Sequence, residues 1–182
     1  VVSVGGINWF SNRDALAYFS ADILPLLRML VPGAAMSWVG RAEADQRTEY
    51  RTRYGVELIG YVPDLRPVVQ DAACFAVPAR VGGAASLKVL DAWAMGKAIV
   101  STSIGCEGLE AVDGENILIR DTPDGFAMAV ADVLRNPSLR ARLGSAGRAT
   151  VERQYTWEII GTGMLASYAA LLPEAYRTAA AS

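Results

Sequence analysis

The sequence predicts an α/β fold: a Rossmann-like, doubly wound parallel sheet of about six strands with helices on both faces. Short apolar runs such as VVSV, VELIGYV and ACFAVP read as strands buried on both sides. Longer stretches of helical periodicity separate them. Proline, glycine and capping residues fall at the junctions, so the alternation is punctuated as βαβ units require.

Val1 to Gly5 is the first strand. Ser11-Asn12-Arg13-Asp14 offers an N-cap with an acid three residues on, which predicts a helix from about Asn12 to Leu30, ended by Pro32-Gly33. AMSWVG gives a second strand closing at Gly40. A mixed-charge helix follows to about Tyr54, in which Arg41, Arg47, Arg51 and Arg53 interleave with Glu43, Asp45 and Glu49. Glu43/Arg47 and Glu49/Arg53 stand four apart, the spacing of pairs on a solvated face.

VELIGYV is a third strand, Asp64 to Asp71 a short helix and ACFAVP a fourth strand. A glycine-alanine loop then leads into a helix from about Ser86 to Met95. AIVST is a fifth strand and NILI a short sixth, separated by the loop Ser103 to Glu115. Thr122-Pro123 and Asn136-Pro137 each place a capping residue ahead of a proline at the first helical position. A last helix runs from Trp157 to Leu172; core packing is the favoured reading of Trp157, the alternative being a helix, opened by Tyr155 and Trp157, that crosses to a further domain. The alanine-rich end, 174–182, is expected to fray.

At 182 residues the chain is one domain by default, long enough to bury roughly 70% of its unfolded surface. Its 52% hydrophobic content includes no apolar run near the roughly 18 residues of a membrane span. The net charge of −2 and a pI near 5.2 argue against nucleic acid as a partner, because phosphate-backbone binding needs a positive surface. Two cysteines, Cys74 and Cys106, fit neither a disulfide framework nor a zinc pattern and suit a reducing cytosol. The complete absence of histidine removes Ser/His/Asp and Cys/His catalysis. A chain that starts abruptly in a strand without methionine is expected to be an excised domain.

In a doubly wound sheet, ligands bind beyond the carboxyl ends of the strands where strand order reverses. That rule puts Gly5-Gly6, Tyr61 to Asp64, Arg80 to Ser86 and Thr102 to Gly108 on the binding rim. VGGINW lacks the spacing of a dinucleotide fingerprint, and no phosphate-binding P-loop occurs. The segment ARVGGAASLKVLDAWAMG is more informative. Gly82 and Gly83 allow close approach to a ligand, and the helix starting near Ser86 directs its amides at the same space. Arg80 and Lys88 flank it with charge enough for a diphosphate. The bland reading is a helix-entry loop with a Lys88/Asp91 surface pair.

The run GYVPDLRP, then AACFAVPARVGGAASLKVLDAWAMGKAIVSTSIGCEGL, resembles the nucleotide-sugar-binding half of GT-B glycosyltransferases of the large retaining family 4. Asn12 and Asp14 before it, and PDGFAMAVADVLRNPSLRARLGSAGRATVERQYTW after it, extend the resemblance over nearly the whole chain. It implies that 1–173 is the donor domain of an enzyme whose N-terminal acceptor domain lies outside this chain. Arg80, with Gly82, Gly83, Ala84, Ala85 and Ser86, would hold the diphosphate, and Lys88 would share its charge. Asp91 would bind the ribose, and backbone groups around Tyr61, Val62 and Asp64 would receive the base; Gly5 and Gly6 are candidate donor-binding residues from their place on the rim. Three departures stand out. Asp91 replaces the usual glutamate, Ala84 replaces a glycine, and Gly6 and Asn12 stand where many members carry an arginine and a lysine.

The resemblance further implies transfer of a sugar from a nucleoside diphosphate sugar with retention, in exopolysaccharide or lipopolysaccharide synthesis. Neither metal nor cofactor is expected. Arg80 and Lys88 would stabilise the leaving diphosphate, and the isolated domain would be inactive. A cytoplasmic location is expected, with peripheral membrane contact through the missing half left open. The alternatives are a nucleotide-sugar epimerase and a non-catalytic scaffold with a decayed donor site.

Overall fold

The computed structural model describes residues 1–82 and 87–171. The expected frayed tail, and Gly83, Ala84, Ala85 and Ser86 of the expected phosphate loop, lie outside the described residues. Six strands form one parallel sheet: β1 (Val2–Val4), β2 (Met36–Val39), β3 (Val56–Gly60), β4 (Phe75–Val77), β5 (Ile99–Ser101) and β6 (Leu118–Ile119). Their order is β3-β2-β1-β4-β5-β6, with every pair parallel. The chain winds outward one way from β1, then returns to β4 and winds the other way. The switch point therefore lies between β1 and β4.

The helices are α1 (Phe10–Tyr18), α2 (Leu24–Leu30), α3 (Ala44–Tyr54), α4 (Arg66–Asp71), α5 (Leu87–Ala94), α6 (Pro123–Arg135), α7 (Pro137–Gln154) and α8 (Trp157–Leu171). One apolar layer gathers Leu16, Phe19, Leu27, Trp38, Ala76, Val100, Phe126 and Val130 from α1, α2, α6 and one sheet face. The opposite layer gathers Val2, Val39, Val69, Phe75, Val77, Val89, Trp93 and Ile99. Successive residues of β4 and β5 feed opposite layers, Phe75, Val77 and Ile99 one and Ala76 and Val100 the other, as strands buried on both faces require.

The first helix departs from expectation at both its start and its middle. It begins at Phe10, with Trp9 at the cap position and no side-chain cap bond. The polar residues that resemble a cap are instead spent on distant partners, described below. Midway, Phe19–Ile23 form a π turn in which the Leu24 amide reaches back to the Phe19 carbonyl. Pro25, just beyond, lacks an N–H and crowds the preceding turn, and the wider turn accommodates it.

On α3 the Glu49–Arg53 pair forms at 3.8 Å, but the Glu43/Arg47 pair does not. The backbone N–H of Glu43 donates to the Gln46 side chain, and Arg47 donates to the Ala42 carbonyl. The proline-preceded helices behave as expected: Thr122 and Asn136 accept from the Gly125 and Leu139 amides, respectively. Trp157 corrects the core-packing expectation. It is 85% exposed on a helix with no buried residue among those described.

Candidate functional site

A cleft of about 450 Å³ opens at the β1/β4 switch point. Ser3 of β1 and Trp38 of β2 line it from the sheet. Asn12 and Ala15 line it from α1, Trp9 from the position just before that helix, and Pro78, Ala79 and Gly82 from the chain leaving β4. Lys88 of α5 and the Ile104–Gly105 turn complete the wall.

The β1 exit is shaped by backbone contact. Gly5 has φ +153° and Gly40 has φ +156°, a region that side chains rarely adopt. A Cβ on Gly5 would meet the Asn12 side chain at 2.6 Å, and one on Gly40 would run into the Gly5 carbonyl and the Gly6 amide. The Gly5 amide donates to the Val39 carbonyl, and Trp38 Nε1 donates to the Gly5 carbonyl at 2.7 Å. The β1 loop is thereby pressed against the β2 exit.

Asn12 joins this loop to α5. Its Nδ2 donates to the Gly6 carbonyl at 3.1 Å, and its Oδ1 accepts from Lys88 Nζ at 2.9 Å. Only this amide orientation serves both partners, because the lysine can only donate and the carbonyl can only accept. Lys88 is half-buried and forms no ion pair with any described residue. Burial pushes its ammonium below the usual lysine range. With one neutral acceptor among the described residues, this ammonium in a cleft has two further N–H groups to offer an anion. The Lys88/Asp91 surface pair does not form: Lys88 turns to Asn12, while exposed Asp91 makes no ion pair among the described residues.

Arg80 stands beside the cleft. Its Nε and Nη2 donate to the two Asp14 carboxylate oxygens at 3.1 and 2.6 Å, and its guanidinium carbon lies 4.5 Å from the Tyr18 ring centroid. Asp14 and Tyr18 are four residues apart on α1 and present one surface to it. Partial burial leads the rise in the Tyr18 phenol, and the Asp14 hydrogen bonds keep Arg80 firmly protonated.

Gly82 faces the loop after β5. A Cβ there would lie 3.1 Å from an Ile104 methyl and 3.2 Å from a Glu107 carboxylate oxygen, so Glu107 sits at the rim. Thr102 ties this loop to the β4 exit: its hydroxyl donates to the Ala79 carbonyl at 2.5 Å and accepts from the Gly105 amide at 3.1 Å.

The structure brings Gly5, Gly6, Gly82 and Lys88 to the switch point and places Arg80 alongside. Tyr61, Val62 and Asp64 follow β3, at the sheet edge two strands from β1, and do not line this cleft. Tyr61 is exposed, Val62 packs partly against the second core layer, and Asp64 is held by Arg66 at 3.0 Å. Hydrogen bonds from Arg66 keep the Asp64 carboxyl below its usual range. Trp9, Ser3 and Gly40 belong to the site without any sequence signal. Asp14 and Asn12 carried a helix-capping signal, and the resemblance also puts Asn12 where many members carry a lysine. Among the described residues, no group of three or more acidic or cysteine side chains is gathered as a metal site. No helix among them is long and apolar enough to cross a membrane.

The family model described as "Glycosyl transferases group 1" matches residues 1–136. The chain belongs to the group 1 glycosyltransferases. The lipopolysaccharide core biosynthesis glycosyltransferase LpsE of Rhizobium meliloti is 30% identical over an alignment of 137 residues that covers 71% of this chain and 40% of LpsE. Among solved structures, Anabaena HepE in complex with UDP superposes with a TM-score of 0.76 at 15% identity, over 93% of this chain and 48% of HepE. The C-terminal domain of the Francisella tularensis group 1 family protein LpcC superposes with a TM-score of 0.67 at 16% identity, over 86% of each chain. At such identities the structural likeness shows the fold, one Rossmann-like half of a GT-B glycosyltransferase. This group 1 chain spans less than half the length of LpsE and HepE.

Proposed function

We propose that this group 1 chain, over residues 1–173, is the donor-binding domain of a retaining, family 4-like glycosyltransferase that takes a nucleoside diphosphate sugar at the β1/β4 cleft. The observation that carries the reading is Lys88: a half-buried cation without a carboxylate partner among the described residues, facing a cleft at the switch point. The complexes of HepE with UDP and with UDP-glucose support a nucleotide sugar as ligand. The name of LpsE supports a role in lipopolysaccharide synthesis; exopolysaccharide synthesis and a place at the cytoplasmic side of a membrane belong to the proposal and rest on the family resemblance alone.

In the transfer, an acceptor hydroxyl forms a bond to the anomeric carbon while the bond from that carbon to the diphosphate oxygen breaks. Negative charge grows on the leaving diphosphate, and Lys88 is placed to stabilise it, with Arg80 at the edge. The acceptor proton leaves with a base or with the departing phosphate. Because Lys88 supplies the charge, no metal is required for this step. The acceptor is held by an N-terminal half beyond this chain, and the chain alone binds donor without turnover.

One observation favours a second reading, a scaffold with a decayed donor site: Asp14 already neutralises Arg80. Calorimetry separates the two. UDP, GDP or their sugars are expected to bind, and Lys88→Ala is expected to weaken binding. A full-length protein that binds none of them would leave the scaffold reading standing.

A further inference from the structure

Resting on the donor-site reading, we infer that Asp14 is the positioning residue for Arg80: it fixes one edge of the guanidinium so that the other edge, Nη1, is presented to a phosphate oxygen of the ligand. A guanidinium is a planar fork with five N–H groups. Here the Nε–Nη2 edge is consumed by Asp14 at 3.1 and 2.6 Å, and the Tyr18 ring takes one face. Nη1 makes no hydrogen bond or ion pair among the described residues.

Burial makes the arrangement directional. The Asp14 side chain is only 19% exposed and rides on α1, whereas Arg80 is 48% exposed at the end of a long stem. The carboxylate is the fixed element and the arginine the adaptable one. Without Asp14 the Arg80 side chain would spread over many rotamers, and binding an anion would have to order it again.

The first turns of α1 also set the other cation, since Asn12 holds Lys88. Two residues apart on one helix, Asn12 and Asp14 thus orient a lysine and an arginine that approach from α5 and from the β4 exit. The neutral partner leaves Lys88 its full charge. The charged partner trades part of the Arg80 charge for a fixed direction.

The experiment is a double-mutant cycle on UDP and GDP affinity using Asp14→Ala, Arg80→Ala and the double variant, with melting curves recorded alongside. Asp14→Ala and Arg80→Ala are each expected to weaken binding by about tenfold, the double variant no further than Arg80→Ala alone. Should Asp14→Ala fail to fold, Asp14→Asn replaces it, keeping the size and one acceptor, and is expected to retain part of the affinity. Additive losses would overturn the inference. So would tighter binding by Asp14→Ala, which would make the carboxylate a competitor of the ligand. Lowered melting temperatures with unchanged affinity would also overturn it, reducing the pair to a pin between α1 and the β4 exit. If the unmutated chain binds neither nucleotide, the donor-site reading falls together with this inference. If Lys88→Ala abolishes binding and Arg80→Ala leaves it intact, only the inference falls.

Discussion

Replacing Lys88 with methionine keeps the length and apolar stem of the side chain and removes only its charge. The folded domain loses the bond from Lys88 Nζ to Asn12 Oδ1, worth about 1 kcal/mol. It also sheds the cost of holding a desolvated ammonium, the cost that pushes the Lys88 pKa down. Asn12 keeps its bond to the Gly6 carbonyl, so the β1 loop stays anchored. The two changes oppose each other, and the net stability change is expected to stay within about 1 kcal/mol. Ligand binding has no such compensation. A charge-assisted hydrogen bond to a phosphate is worth about 1.5–3 kcal/mol, which corresponds to roughly 10- to 150-fold in affinity. Urea denaturation and calorimetry with UDP and GDP read the two quantities on the same preparation. A variant that unfolds by several kcal/mol while binding nucleotide as tightly as before would refute the reasoning, because Lys88 would then be structural.

Three further outcomes follow from the same geometry. Nucleotide affinity is expected to fall with rising pH below the ordinary lysine range of about 10.4, as Lys88 loses its proton early, and Lys88→Met should flatten that limb of a calorimetric pH series. Over the same window the unfolded chain holds the proton more tightly than the folded one, so this residue's contribution to stability rises with pH. Gly40→Ala places a Cβ against the Gly5 carbonyl and Gly6 amide at a φ of +156°, and is expected to cost about 2–4 kcal/mol in denaturation and to weaken nucleotide binding with it. Asn116→Ala removes a buried side chain that accepts from the Val112 amide at 2.9 Å and donates to the Glu110 carbonyl at 2.8 Å and to Thr150 Oγ1 at 3.1 Å. A loss of about 2–3 kcal/mol with unchanged nucleotide affinity is expected.

The alternation of strands and helices was legible because burial on both sheet faces forces apolar runs such as ACFAVP and AIVST. Proline after a capping residue was equally legible, since Thr122 and Asn136 act within three residues of themselves. The β1/β4 cleft followed from a topological rule, and Lys88 from its place after a glycine-rich segment. What escaped was set by distance. Asn12 and Asp14 look like helix-start residues, yet their partners Lys88 and Arg80 lie 76 and 66 positions away. Nothing local distinguishes a cap from such a contact. Trp157 illustrates the reverse error: an indole reads as core, and only the structure places it in the open, on a helix whose Leu165 and Leu171 are exposed as well.

The residues expected to receive the base stand apart from the cleft without that expectation being tested. Tyr61, Val62 and Asp64 sit at the carboxyl end of a strand, as the rule demands, but β3 is the outermost strand on its side. Strand order, rather than strand identity, decides which rims share a cleft.

The central claim, a nucleoside diphosphate at the switch point, is tested most directly by amide NMR mapping of this 19.4 kDa chain during titration with UDP and GDP. Shifts are expected to concentrate at Gly5, Gly6, Asn12, Gly82, Lys88 and Gly105, around the β1/β4 cleft. Shifts gathered instead at the opposite end of the sheet, in the second cavity lined by Gln70, Lys97 and Arg140, or no saturable shift with either nucleotide, would contradict the account.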